Sequence, residues 1–211
     1  MSGDHFAILL GGSLQPTARL SQQIQSARII AADGGIAHAE TLHLTPELWV
    51  GDFDSTPTET LARLQHIPRE NWPMDKDRTD GEIAADAAIA RGAKSIIFVG
   101  AFGGQADHAF GNFLLAIAVA QKGIHVLISS GDEEAIPLIP GNHEFDLPPQ
   151  ARFSIIALSD LGGLSIAGAQ WPLDQIDLPM GSSRTLSNVA LGPIRLSLQK
   201  GYALAIAYPE S

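Results

Sequence analysis

Along the first two thirds of the chain, short runs of consecutive apolar residues alternate with stretches where apolar residues recur every third or fourth position. The runs are His5 to Leu10, Arg28 to Ala32, Leu48 to Val50, Ser95 to Val99 and His125 to Ser129. Glycine or aspartate follows each within two residues. Unbroken apolarity of this length marks strands buried on both faces. Between them, Thr79 to Ala90 opens with the T-x-x-E spacing of a capping box, Thr79 with Glu82, and sets Ile83, Ala87 and Ala90 as its apolar face. Asp107 to Lys122 carries Phe110, Leu114 and Ile117 as its stripe and ends in Lys122-Gly123, a helix stop. Strands alternating with helices predict an α/β fold with a mostly parallel N-terminal sheet flanked by helices.

After about residue 135 the pattern changes. Pro137, Pro140, Pro148, Pro149, Pro172, Pro179 and Pro193 separate short alternating runs such as Arg152 to Leu158, Ile194 to Leu198 and Tyr202 to Ala207. That predicts a smaller C-terminal all-β sandwich. The expected division is 1–138 and 139–211, with the boundary in the Pro137 to Asn142 stretch.

Composition narrows the function. The 211 residues carry a formal net charge of -10, which argues against nucleic acid or an anionic membrane as partner. There is no cysteine, so thiolate metal sites and thiol nucleophiles are excluded. The N-terminus MSGDHFAILLGG lacks the basic start of a signal peptide, and no stretch approaches a membrane span. A cytoplasmic protein is expected. The G-x-x-x-x-G-K-[ST] loop, a strand-linked G-x-G-x-x-G, G-x-S-x-G and H-E-x-x-H are all absent.

What remains is acidic groups at strand ends. Asp33 follows the second run, Asp52 and Asp54 follow the third, Asp75, Asp77 and Asp80 precede a helix, and Asp107 opens another. Loops after the carboxyl ends of parallel strands share one edge, where open α/β sheets bind ligands. Clustered carboxylates repel unless they hold a cation, and an all-oxygen set suits Mg²⁺ and phosphoryl-type transfer. Each Asp also has a plainer reading as a turn or N-cap residue, and Asp107 fits a plain N-cap best. The pair in VGDFDS is harder to read so, because in an extended segment residues i and i+2 point the same way. Gly103-Gly104 could serve a phosphate or only a turn, and Lys76, Arg78 and Arg69 could meet phosphate or only water. Trp171 could stack on a flat ligand or fill a core.

Taken in order, ADGGIAH, GDFDS, DKDRTDGE and GGQADH-AFGNF, followed by GLSIAGAQWPL and Ser187-Asn188, resemble the thiamine pyrophosphokinase family over nearly the whole chain. The resemblance implies transfer of pyrophosphate from ATP to the hydroxyl of thiamine, Mg²⁺ dependence and a homodimer. It implies that Asp52, Asp54 and Asp80 hold Mg²⁺ and carry catalysis. Asp33, Lys76, Asp77, Thr79, Gly103, Gly104 and Asp107 would attend ATP, and Trp171, Ser187 and Asn188 thiamine. Two positions depart from the pattern: Gln105 stands where the family usually has Arg, and Ala37 where it often has Asn. Arg78 or Lys76 would compensate for the missing cation. Competing readings are another Asp-metal nucleotide transferase and a non-catalytic thiamine- or nucleotide-binding protein.

Overall fold

The computed structural model describes residues 3–53, 56–72 and 77–209. Asp54 and Lys76 therefore lie outside the described residues. The chain divides into two compact units, one of residues 1–115 and 123–131, the other of 116–122 and 132–211.

The first unit contains β1 (His5–Leu9), α1 (Ala18–Ile24), β2 (Arg28–Ala32), α2 (Ile36–Thr41), β3 (Leu48–Gly51), α3 (Thr58–Arg63), β4 (Arg69–Asn71), α4 (Asp80–Ala90), β5 (Ser95–Val99), most of α5 (Ala106–Gln121) and β6 (His125–Ser129). All the pairings are parallel, in the order β6-β5-β1-β2-β3-β4. Side chains alternate across the sheet. On one face Ala7, Leu9, Ile29, Ala31, Trp49, Ile97 and Val99 pack with Leu20 and Ile24 of α1 and Ile36 of α2. The other face meets α4, which touches β1, β2 and β3.

Of the faces expected to turn inward, the long helices bury Ile83 in α4 and Ile117 in α5, but the rest of each inward line differs. In α4 the buried line is Gly81, Ala84, Ala85 and Ala88, with Ile83 beside it, while Ala90 is exposed. In α5, Phe113 packs edge-on against Phe102 at 5.1 Å, and Ala116, Ile117 and Ala120 continue that line. Phe110 and Leu114 are 53% and 47% exposed. The cause is the same in each. A helix lying close on its neighbours needs small residues on the contact side, so alanine and glycine rather than the bulkiest side chains mark it.

The second unit is antiparallel throughout: β7 (Glu134–Leu138), β8 (Gly141–Phe145), β9 (Arg152–Ala157), β10 (Leu161–Ala169), β11 (Leu173–Leu178), β12 (Asn188–Leu198) and β13 (Ala203–Tyr208). One ladder runs β7-β13-β9 and reaches the start of β12 at Asn188 and Val189. The other joins the far half of β12 to β8 and β10, and β10 to β11. Ala190, Ile194, Leu196 and Leu198 of β12 are buried while Arg195 points to water, the alternation of a strand with one wet face. The register of β10 slips between Ala167 and Ala169, where Gly168 has φ +81°. No helix among the described residues is long and apolar enough to cross a membrane.

Candidate active site

Because the strands of the first unit are parallel, the loops after β1, β2, β3, β5 and β6 leave from one edge. Three of them are joined by backbone hydrogen bonds. Gly12 N donates to Gly100 O at 2.8 Å, Ser13 N to Phe102 O at 2.7 Å, Gly100 N to Ser129 O at 3.0 Å and Gln15 N to Ser130 O at 2.7 Å. A side chain at Gly12 would overlap the carbonyls of Gly100 and Phe102, and one at Gly131 the carbonyl of Gln15. Gly103 and Gly104 both adopt left-handed φ, +68° and +69°, with Gly103 pressed against the Ser13 hydroxyl.

The acidic groups lie beside this glycine platform. The register sets Ala32 against Val50, so Asp33 stands beside Gly51, with Asp52 next in the chain. A Cβ at Gly51 would sit 3.3 Å from Asp33 Cα, so glycine is the residue that lets the two strand ends close. Asp33 has φ +43° and Phe53 φ +62°, a region few non-glycine residues enter. One side chain fixes both. The fully buried Trp49 donates from its indole nitrogen to Asp33 O at 3.0 Å, and Phe53 packs edge-on against it with centroids 4.8 Å apart. Phe53 thus packs against the core. The chain there is not extended. The strand ends at Gly51 and Phe53 is left-handed, so the alternation of an extended strand does not run through Phe53.

Asp80 opens α4, whose first turn brings Gly81 against Leu10 at the end of β1, on the same edge. Thr79 is its N-cap, accepting from Glu82 N at 3.2 Å. The Glu82 carboxylate does not close the reciprocal half of the box on Thr79. It accepts from Arg78 Nε at 2.9 Å, and Arg78 also pairs with Asp86. The hydrogen bonds to Asp86 and then Glu82 raise the Arg78 pKa. Arg78 is therefore paired with α4's own carboxylates. Asp77 is exposed. Asp107 lies within the first turn of α5 rather than at its cap, and its carboxylate accepts from His108 N at 2.9 Å. Asp33, Asp52 and Asp80 share the sheet edge, yet among the described residues no three acidic or histidine side chains form a closed metal cage. An all-oxygen, incomplete set is the kind Mg²⁺ accepts, since it keeps waters and takes phosphate oxygens as further ligands.

In the second unit, Trp171 sits in the turn between β10 and β11 and is 55% exposed, so it is not a core residue. Asn188 is buried, its amide clasping the Trp171 backbone: Oδ1 accepts from Trp171 N at 3.2 Å and Nδ2 donates to Trp171 O at 2.8 Å. Ser187 is exposed and left-handed, φ +60°, with its N donating to Ser154 Oγ at 3.0 Å. The three residues expected at thiamine are thus neighbours, with unequal access to solvent.

Comparison with known proteins agrees with both units. The thiamin pyrophosphokinase catalytic domain matches residues 20–128, and the thiamin pyrophosphokinase vitamin B1 binding domain matches residues 142–203. The chain belongs to the thiamine pyrophosphokinase family. A thiamine pyrophosphokinase from Bacillus subtilis strain 168 is 26% identical over 167 residues, spanning 75% of this chain and 76% of its own. The crystal structure of a thiamin pyrophosphokinase from Geobacillus thermodenitrificans matches with a TM-score of 0.83 at 27% identity over 98% of each chain. That of the Bacillus subtilis protein gives 0.86 at 23% identity, over 98% of this chain and 100% of the other, and speaks for the fold. Membership makes the chain an enzyme of thiamine pyrophosphorylation.

Two residues of this thiamine pyrophosphokinase fold escaped the motif reading. Trp49 precedes GDFDS and reads as one more apolar residue of a strand, although its indole needs a hydrogen-bond partner when buried. His38, inside the ADGGIAH block, donates from Nε2 to Gly12 O at 2.9 Å and ties α2 to the glycine platform. Its position within a family block was the available signal.

Proposed function

We propose that the chain transfers the β,γ-pyrophosphoryl group of ATP to the hydroxyl of thiamine, giving thiamine diphosphate and AMP. The observation that carries this reading is that Asp33, Asp52 and the Asp80 end of α4 all lie on one sheet edge, beside loops bonded to one another through glycine. Asp52 and Asp80, with Asp54, would hold Mg²⁺, which when bound neutralises phosphate charge and polarises the phosphorus under attack. Asp33, Asp77 and Thr79, the Gly103-Gly104 loop and Asp107 attend the nucleotide. Lys76 is the cation assigned to the polyphosphate. The thiamine oxygen bonds to the β-phosphorus as the bond from that phosphorus to the AMP oxygen breaks. The hydroxyl proton passes to a carboxylate of the cluster. Most of the acceleration comes from holding the reactants in line and from fixed charges at the reacting phosphate.

Trp171 is assigned as the ring on which thiamine stacks, with Ser187 at its edge. Its exposure supports this, as does the fit of an electron-rich face to a cationic thiazolium. The antiparallel unit, which starts with β7 at Glu134, is proposed as the thiamine-binding β-sandwich and the parallel α/β unit as the ATP-binding domain. A cytoplasmic homodimer is proposed with them, and sedimentation tests the dimer.

The experiment is formation of AMP and thiamine diphosphate from ATP, Mg²⁺ and thiamine. Asp54→Asn should lower kcat by roughly 10³-fold, the scale of a lost fixed charge at a reacting phosphate. Equal turnover by this variant sinks the metal assignment. Thiamine binding with no AMP release by the wild type favours a non-catalytic binding protein.

A further inference from the structure

The exposed Trp171 ring stands on a backbone gripped by one buried side chain. Asn188 is 5% exposed, and its amide faces the protein on both sides. Oδ1 accepts from Trp171 N at 3.2 Å and Val189 N at 2.8 Å, while Nδ2 donates to Trp171 O at 2.8 Å. Both lone pairs of the oxygen and one of the two N–H groups are thereby used. The pattern fits only one orientation of the amide, because the oxygen meets two donors and the nitrogen an acceptor. Around this clasp the chain is fixed on each side. Gln170 N donates to Val189 O at 2.9 Å, the Gly168 bulge re-aims the end of β10, and Pro172 restricts Trp171 to extended backbone. Left-handed Ser187, tied to Ser154 Oγ, sets the start of β12 where the amide lies under the turn.

We infer that Asn188 is a positioning residue, aiming the Trp171 ring at thiamine without touching the substrate itself. The inference rests on the stacking role proposed for Trp171 and assigns to Asn188 a part different from direct contact. A buried amide already engaged in three hydrogen bonds presents little to a ligand. An aromatic ring on a turn, by contrast, stacks well only if the turn is held.

The test is thiamine binding by calorimetry without nucleotide, on wild type, Trp171→Ala, Asn188→Ala and the double variant. Each single change should raise the thiamine Kd, Trp171→Ala by about tenfold and Asn188→Ala by about fivefold. The double variant should bind within about 1.5-fold of Trp171→Ala, because a residue acting through the ring has nothing to act on once the ring is gone. In turnover, the Asn188→Ala loss should fall on the KM for thiamine, leaving kcat and the KM for ATP in place. If the double variant is weaker than Trp171→Ala by the full Asn188→Ala factor, Asn188 acts independently of the ring and the inference is overturned. If Trp171→Ala binds thiamine as wild type does, the stacking role itself fails, and the inference with it. Should alanine at 188 prevent folding, Asn188→Asp keeps the accepting oxygen but replaces the donor to Trp171 O with a charged acceptor facing it. It should raise the Kd and, in a Trp72→Phe background, raise acrylamide quenching of tryptophan fluorescence, to which the buried Trp49 contributes little. Unchanged quenching with unchanged Kd overturns the inference.

Discussion

In the parallel unit, the acidic candidate groups stand beside loops bonded to one another through backbone, with Gly12, Gly103 and Gly131 at the points of contact. In the antiparallel unit the candidate groups centre on one exposed ring, held by one side-chain amide. The first arrangement is distributed and continuous with the core, so damage to it should appear as lost folding. The second hangs outside the core, so damage to it should appear as lost affinity in a protein that still folds. A site can be rigid in either way, and the two fail differently.

The largest expected effect follows from the first arrangement. Gly12→Ala would drive a methyl group into the carbonyls of Gly100 and Phe102, and should cost about 3 kcal/mol or more, lowering Tm by roughly 10 °C. Gly34→Ala is the control, since nothing lies within 4 Å of its added Cβ, and its Tm should stay within about 2 °C of wild type. Equal Tm values for the two variants would remove the distinction. Next comes Trp171→Ala, which should raise the thiamine KM about tenfold while Tm stays within about 2 °C, as suits an exposed side chain. A large fall in Tm there would place Trp171 with the core instead. Thr79→Ala removes the cap of α4 and should cost about 1 kcal/mol, seen as a Tm lower by about 3 °C. Its effect on the KM for ATP reports whether the Thr79 hydroxyl serves the nucleotide as well as the helix.

The smallest effect belongs to Glu133, outside both sites. Burial, and then Asp132, raise its carboxyl pKa. A raised carboxyl binds its proton more tightly when folded. Its contribution is therefore complete below the unfolded pKa of about 4.3 and is lost as pH rises through the folded value. Glu133→Gln should raise Tm slightly at pH 7 and flatten its decline as pH rises above about 4.3, checked by thermal unfolding as a function of pH.

Much of the parallel unit was legible because its strands are buried on both faces and carry an unbroken apolar signal. Arg28 to Ala32, Ser95 to Val99 and His125 to Ser129 are strands with the bounds the pattern set. The short helices α1, α2 and α3 were not legible, since six or seven residues make fewer than two turns and show no period. Thr17, which caps α1 by accepting from Leu20 N at 3.1 Å, was their best available mark. The inward faces of α4 and α5 were only partly legible because alanine and glycine, not bulk, mark close packing. Motifs singled out Asp33, Asp52 and Asp80, which the fold brings to one sheet edge, but not what shapes the loops that carry them. The bend at Phe53 depends on Trp49, and the clasp on Trp171 joins residues 17 positions apart, so neither has a local period or spacing to betray it.

The bonding of the glycine loops also bears on which form of nucleotide the edge will take. The amides of Gly12 and Ser13, which a phosphate-cradling loop would offer to a ligand, are given to the carbonyls of Gly100 and Phe102. A bare polyphosphate approaching this edge meets occupied donors and a neighbouring row of carboxylates. The same polyphosphate carrying its divalent cation meets groups that attract it. With the nucleotide bound at this edge as proposed, charge would separate the free nucleotide from its metal salt before base or sugar is read.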